Sequence, residues 1–477
     1  MVTRVLLVAY VVMLHWVYQE RISPLFFYLG LRYREPDLTF YAVAIGLAIL
    51  ISAIMPARIR KPSDFILWVL YVMSVIPSIL IPQYADIIPV GDAIILALVV
   101  AASFVTVVLL AGRGPRFLVP RLVLPPTVLV MLIATLTVAC YGYLLYTTGL
   151  SFRFVSLGWV RDLRFEYRDQ LESTGAILGY VVRLQGNVIN PLIMAAGIYR
   201  RSWYLVATGI VGQLLIFSAT GYRLTLLSPV AVVLLATAFR MNLRPRGRVI
   251  LAGILASSAA ALLYDTAAQT FLYTEIFVDR LVVTPGALAA AYVKVFDGMP
   301  KAEWGYSFLA PFVDYPYSKT PAFIVGQAFS GNAQNSANAN FFGDGFANLG
   351  YPGIFIEAIA LVVILWLIDS SARHLPAAVS AIILLVPTIA LVNSSTFTSF
   401  LSNGYAAAIV IMACLPGSGW GRRKLHRRHL RDTHEILENP SAEPLPPPGP
   451  GSPGKRPARH RQAPTIPDYM QPHRGRC

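Results

Sequence analysis

Charge is scarce in this chain. Only 13% of its 477 residues are Asp, Glu, Lys or Arg, 56% are apolar, and the mean hydropathy is +0.60. Such a balance excludes an ordinary soluble domain, which needs more polar surface to face water. Cysteine is nearly absent. Cys140, Cys414 and Cys477 are scattered and two lie in hydrophobic runs, so neither a disulfide framework nor a cysteine metal site is expected. Histidine is confined to His15, His374 and five positions in the C-terminal tail, which excludes histidine catalysis in the long loop described below. There is no D-x-D pair to hold a metal-bound nucleotide sugar and no G-x-x-x-x-G-K-[ST] loop for ATP. No repeat of fixed period is present. The basic surplus, 39 Lys and Arg against 24 Asp and Glu, lacks the basic-aromatic module of a nucleic-acid binder. No cofactor and no metal are expected.

Long apolar runs are what the sequence has in quantity. Windows of about 20 apolar residues recur, the signature of a polytopic helical membrane protein. Twelve membrane helices are expected near 4–19, 38–56, 64–82, 90–111, 127–149, 174–199, 203–217, 225–240, 249–264, 349–368, 375–392 and 403–415. The fold class is therefore all-α. The first run follows a single Arg4 and has no A-x-A site, so it reads as a retained helix. Alternate connections carry the basic residues: Arg58, Arg60 and Lys61; Arg113, Arg116 and Arg121; Arg200 and Arg201; Arg240, Arg244, Arg246 and Arg248; and Arg373. By the positive-inside rule these connections and both termini are cytoplasmic, in a multi-pass protein of the inner membrane. Residues 1–415 form the membrane domain, with outer loops at 150–173 and 265–348. Residues 416–477 hold 12 Lys and Arg against 5 Asp and Glu and become Pro-rich beyond Glu438, which reads as a basic and largely disordered cytoplasmic tail.

Positive charge also falls on the side where the rule disfavours it. The outer loop before the sixth helix contains Arg153, Arg161, Arg164 and Arg168, interleaved with Asp162, Glu166, Asp169 and Glu172. A self-paired juxtamembrane helix is one reading. A site for a diphosphate is the other, because guanidinium forks suit phosphate geometry. The sixth helix places Arg183, Asn187 and Asn190 on one face, a polar stripe that must meet a cavity or other helices. At about 1.5 Å per residue Arg183 lies on the order of 12 Å below the outer surface, a depth similar to that of Glu357. An Arg183–Glu357 pair is expected, as a packing bond or as a cavity floor with its counter-charge. Arg223 opens the eighth helix at the outer side. It snorkels to headgroups, or it joins Arg164, Arg168 and Arg183 in an anion-holding cluster.

The long loop holds eleven aromatics between Trp304 and Phe346, accompanied by Asn332, Asn335, Asn338 and Asn340. Flat rings and amides suit sugars, although an interfacial aromatic belt has the same composition. A sugar hydroxyl acting as nucleophile needs a base. Of the carboxylates from Asp265 to Asp344, Asp314 and Glu303 are the candidates for it, with Asn340, Asp344 and Glu357 in the substrate cavity beside Asn187 and Asn190.

Three stretches carry a resemblance: "RFEYRDQLESTGAILGYVVRLQGNVINPL", "SATGYRLTLLSPV" and "NSANANFFGDGFANLGYPGIFIEA". Together they resemble the bacterial O-antigen polymerase-like family, the oligosaccharide repeat-unit polymerases. The third contains an N-x-F-x-D-G-x-x-x-x-G-x-x-G entry into a late helix, at Asn340, Phe342, Asp344, Gly345, Gly350 and Gly353. The likeness covers about residues 160–370. It implies a membrane glycosyltransferase of the C-type architecture that joins polyprenyl-diphosphate-linked oligosaccharides at the outer face of the cytoplasmic membrane. Arg164, Arg168, Arg183 and Arg223 then hold the donor diphosphate without a metal. The bilayer, a flippase and a chain-length regulator are the implied partners. The related O-antigen ligases are associated with a loop histidine that is missing here. Competing readings are a lipid-linked oligosaccharide flippase and a transferase using a polyprenyl-monophosphate sugar, for which Glu35 and Asp37 in the first outer loop are the corresponding acids.

Overall fold

Proline shapes the helices of this chain. Four long apolar helices contain a π-wound stretch, at Tyr18–Ile22, Tyr71–Val75, Gln185–Ile189 and Glu275–Val283. Each is followed at the second position by a proline: Pro24, Pro77, Pro191 or Pro285. A proline ring cannot donate a backbone hydrogen bond and pushes on the preceding turn, and a widened turn upstream absorbs both effects. The helices bend and continue, so each reads as one element.

The computed structural model describes residues 2–115, 118–148, 163–164, 166–167, 176–242, 245–307, 309–418 and 420. Arg153, Arg161 and Arg168 of the first outer loop, and nearly all of the expected tail, lie outside the described residues. Among the described residues there is no strand, and backbone pairing beyond helices is limited to two isolated bridges.

Among the described residues eleven helices have the length and apolarity to cross a membrane: α1 (Val2–Leu29), α3 (Pro62–Tyr84), α4 (Val90–Ala111), α5 (Pro126–Thr147), α6 (Ile177–Arg200), α7 (Trp203–Thr220), α8 (Arg223–Met241), α9 (Arg248–Ala268), α10 (Leu272–Phe296), α13 (Tyr351–Ser371) and α15 (Thr396–Cys414). Shorter apolar helices are α2 (Leu38–Ile54) and α14 (Ala377–Leu391). Two further helices, α11 (Pro321–Ser330) and α12 (Phe341–Leu349), precede α13. The protein is an all-α, multi-pass membrane protein.

Contacts between connections define two faces. On one, Ile59 N donates to Pro245 O at 2.9 Å, Lys61 Nζ meets Asp369 Oδ2 at 2.6 Å, Val119 N donates to Ser370 Oγ at 2.9 Å, and His374 Nε2 meets Leu415 O at 2.8 Å. This basic face collects Arg58, Arg60, Lys61, Arg113, Arg121, Arg200, Arg246 and Arg373. On the opposite face, the loop face, Asp86 N donates to Arg32 O at 2.8 Å, the rings of Phe26 and Phe271 lie 5.7 Å apart, and Ala302 N donates to Ala347 O at 2.9 Å.

The expected outer loop at 265–348 is largely helical, because α10, α11 and most of α12 lie in it. Helix α10 has 25 residues, about 37 Å of helix, enough to span. It does not connect the two faces. Its first turn follows Phe271, beside Phe26. Its last turn brings Phe296 against Tyr317 and Lys294 over the Phe329 ring, and Phe329 lies against Gly30. Both ends are on the loop face, so α10 lies obliquely across the bundle. The small side of its middle, at Gly286, is pressed on the Pro77 carbonyl of α3.

Candidate functional site

Two groups of polar residues come together towards the loop face, and they differ in chemistry. The first is cationic. Arg223 opens α8 just after Gly221, which ends α7 at φ 65°. The Arg223 Nη1 lies 2.9 Å from Glu275 Oε1 of α10. Arg164 Nε donates to the Gly221 carbonyl at 3.0 Å. Arg164 is exposed, and the like charges of Arg223 and Arg280 and the opposite charge of Glu275 all act on its guanidinium. Arg223 Nε is buried without a partner.

Arg183 stands beside this group. It is half-buried and acts electrostatically on Tyr167, which also feels Cys140 of α5. Tyr167 is 2% exposed, its ring packs on Tyr222 at 5.8 Å, and its hydroxyl has no hydrogen-bond partner. Next to it a cleft of about 270 Å³ opens between α5 and α6, with an almost entirely apolar lining that includes Leu136, Cys140, Tyr143, Ile177 and Val181. Gln185 supplies its polar spot, with an unpartnered Oε1.

The expected Arg183–Glu357 pair is not formed. Helix α13 packs on α3, α4, α12 and α15, whereas α6 packs on α7, α8 and α14. Similar depth in two helices does not make them neighbours, and among the described residues Arg183 has no ion pair. The remainder of the α6 stripe is bonded to other helices. Asn187 Nδ2 donates to Asn403 O at 2.9 Å. Asn190 accepts from Gln185 Nε2 at 2.9 Å, donates to Tyr141 Oη at 3.1 Å and reaches Gln213 Oε1 at 3.5 Å. Gln213 Nε2 continues to Gly186 O at 2.7 Å and Ser228 Oγ at 2.9 Å. This seam ties α5, α6, α7 and α8 together.

The second group is acidic, and the glycine-rich motif builds it. Asn340 caps α12 by accepting from Gly343 N at 3.1 Å. Its amide donates to Ser74 Oγ and Ser78 Oγ, each at 3.0 Å, and to Pro285 O at 3.1 Å, which fixes the start of α12 to α3 and α10. Gly350 turns the chain at φ 67°, ψ −150°, a conformation open essentially to glycine alone. Gly345 and Gly353 then meet backbone to backbone, each occupying the space that a Cβ on the other would need. So close a hairpin brings Asp344 of α12 and Glu357 of α13 within hydrogen-bonding reach of each other.

Both carboxyls are enclosed. Glu357 is 0% exposed and Asp344 9%. Tyr306 Oη donates to Asp344 Oδ1 at 2.8 Å, and Asn348 Nδ2 donates to Asp344 Oδ2 at 3.0 Å. Trp304 Nε1 donates to Glu357 Oε1 at 3.1 Å, and Thr396 N donates to Glu357 Oε2 at 2.8 Å. Burial raises the Asp344 carboxyl above the ordinary carboxylate value.

The carboxylates nominated as base lie elsewhere. Glu303, at φ 47°, and Asp314 are both exposed, and among the described residues neither side chain makes a hydrogen bond or ion pair. Asp37 caps α2 by accepting from Thr39 N at 2.9 Å and Phe40 N at 3.1 Å. Sequence reasoning passed over Glu275 and Arg280, although the apolar run around them marked a helix. Trp304 and Tyr306 were noted only among the loop aromatics, and Asn348 and Thr396, which no local signal singles out, were passed over. No family model, curated protein or solved structure matches this chain.

Proposed function

We propose that the chain is a membrane glycosyltransferase that polymerises polyprenyl-diphosphate-linked oligosaccharide repeat units into a surface polysaccharide. The observation that carries this reading is the gathering of Arg164, Arg223 and Arg280 around Glu275, with an apolar cleft between α5 and α6 beyond Tyr222 and Tyr167. An anionic head with a long apolar tail is the ligand whose two ends match those two environments. In this reading the basic face is cytoplasmic, by the positive-inside rule, and the loop face is the outer face. The arginines hold the donor diphosphate and stabilise the charge that develops on it as the glycosidic bond breaks. Arg183 sits where the head meets the tail. A loop carboxylate, Glu303 or Asp314, takes the proton of the attacking sugar hydroxyl. A flippase delivers the donor, and a chain-length regulator limits the product.

The test is the lipid-linked glycan profile of cells. Arg223→Ala and Arg164→Ala at normal protein level are expected to leave single repeat units accumulating. Normal long polymer from both variants rejects the assignment. A second reading, a flippase for the same lipid-linked oligosaccharide, is favoured by Asp344 and Glu357, since neighbouring carboxyls inside a helical bundle are a common proton relay of coupled transporters. Movement of labelled lipid across vesicles without polymer formation decides for it.

A further inference from the structure

Two carboxyls that close need a proton. Asp344 and Glu357 together accept four hydrogen bonds, from Tyr306, Asn348, Trp304 and the Thr396 backbone, and every one of these donors is neutral. The titratable groups that face the pair from the packed elements are Tyr306 and Tyr315 of the loop and Tyr292 of α10, neutral phenols at physiological pH. Among the described residues no lysine or arginine bonds to either carboxyl. Two negative charges at hydrogen-bonding range, out of water and without a cation, repel strongly and are poorly solvated. One proton turns that repulsion into a carboxyl–carboxylate hydrogen bond.

We propose that Asp344 and Glu357 form a proton-binding site, one proton shared between them, which latches the 301–307 loop and the start of α15 onto the α12–α13 hairpin. The latch has three strands. Trp304 reaches Glu357 through its indole and Asn348 Oδ1 through its backbone N, at 2.7 Å. Tyr306 reaches Asp344 and accepts from Asn348 Nδ2 at 3.1 Å. Thr396 binds Glu357 through both its backbone N and its hydroxyl, the latter at 3.3 Å to the Glu357 carbonyl. Loss of the shared proton drives the carboxyls apart and loosens all three at once. The exposed Glu303 adjoins Trp304 in this loop, so the proton governs how the loop is held over the bundle. The proposal is independent of the polymerase reading.

Infrared spectra of the full-length chain in lipid nanodiscs test it. At neutral pH the wild type is expected to show a protonated-carboxyl C=O stretch that is lost in Glu357→Gln, where the amide supplies the hydrogen the pair otherwise takes from solution. Asp344→Asn is the second isosteric variant. The sign of the pH effect is fixed: the folded pair retains a proton that the unfolded chain releases in the ordinary carboxylate range, so stability falls as pH rises above that range. The wild-type melting midpoint is therefore expected to drop from mildly acidic to alkaline pH, with a flatter profile in Glu357→Gln. A wild-type spectrum without the band at neutral pH overturns the proposal, as does a band that survives in both folded variants. Should neither variant fold, the wild-type band must fade as pH and instability rise together, and a band that persists through that loss of stability overturns it equally.

Discussion

The α12–α13 hairpin and the α5–α6 cleft sit in the same bundle and are built in opposite ways. In the hairpin, glycine meets glycine, Asn340 uses its amide on three acceptors, and both oxygens of both carboxyls accept a hydrogen bond. Around the cleft, Tyr167 Oη, Gln185 Oε1 and Arg223 Nε are buried with no partner, and like-charged guanidinium groups crowd together. Buried polar atoms are ordinarily satisfied, and leaving one unmade costs about 1–3 kcal/mol. The hairpin is thus a finished structure, while the cleft region retains donors and space for something else. The two regions differ in how completely their polar groups are satisfied, and substitutions can show whether that difference separates fold from function.

The largest effect is expected from the hairpin glycines. A side chain at Gly353 is driven into the Gly345 backbone, which cannot rotate away as a flexible side chain would. Overpacking of this kind costs about 1–3 kcal/mol and more where backbone is struck, a large share of a typical folding free energy. Gly353→Val should abolish the monodisperse peak in size-exclusion chromatography of the detergent-solubilised protein. A well-folded Gly353→Val variant would show that the hairpin is looser than its contacts.

Next comes Arg223→Ala. Its bond to Glu275 is partly exposed, with side-chain exposures of 22% and 28%, so the stability change should be no more than about 1 kcal/mol. Activity should fall by about 10²–10³-fold if the arginine stabilises a developing phosphate charge. A large functional loss with a nearly unchanged melting midpoint separates the cleft from the hairpin. A large loss of both would make Arg223 a packing residue.

These two regions were legible in the sequence to different degrees, for physical reasons. The motif at Asn340–Gly353 was visible as an entry into a late helix, but the hairpin was not expected; its determinants are local all the same: a capping asparagine, a glycine at positive φ, and two glycines eight residues apart. The loop-face arginines were visible as exceptions to the expected charge pattern, and Arg223 does act on Arg164. What failed depended on which helices are neighbours. Glu357 was given to Arg183 from depth alone, but α13 faces α12 and α15, so its partners are Asp344, Trp304 and Thr396. Helix α10 lies inside the expected 265–348 loop; Glu275, Asp279 and Arg280 break its apolar run, and of the three only Asp279 is buried.

Asn190→Ala sharpens the boundary within the cleft region itself. Asn190 is 1% exposed and its removal leaves Tyr141 Oη and Gln185 Nε2 short of a partner. The cost should be about 2 kcal/mol, read as a lower melting midpoint. Because the residue faces other helices, the surviving folded fraction should retain its affinity for lipid-linked substrate. A loss of affinity with unchanged stability would extend the site down the α6 seam.

The smallest effect, and the cleanest contrast with Gly353, is expected from Gly142→Ala. Both glycines lie in apolar helices, but a Cβ at Gly142 of α5 meets nothing within 4 Å. Alanine removes backbone freedom from the unfolded chain and favours the helix by about 0.5–1 kcal/mol. The melting midpoint should therefore rise slightly, and polymer length in cells should stay normal. The opposite signs of two glycine substitutions would then measure how differently the two regions are packed. A destabilised Gly142→Ala would mean that α5 needs that space for a neighbour, so the cleft region would be packed in the membrane as tightly as the hairpin.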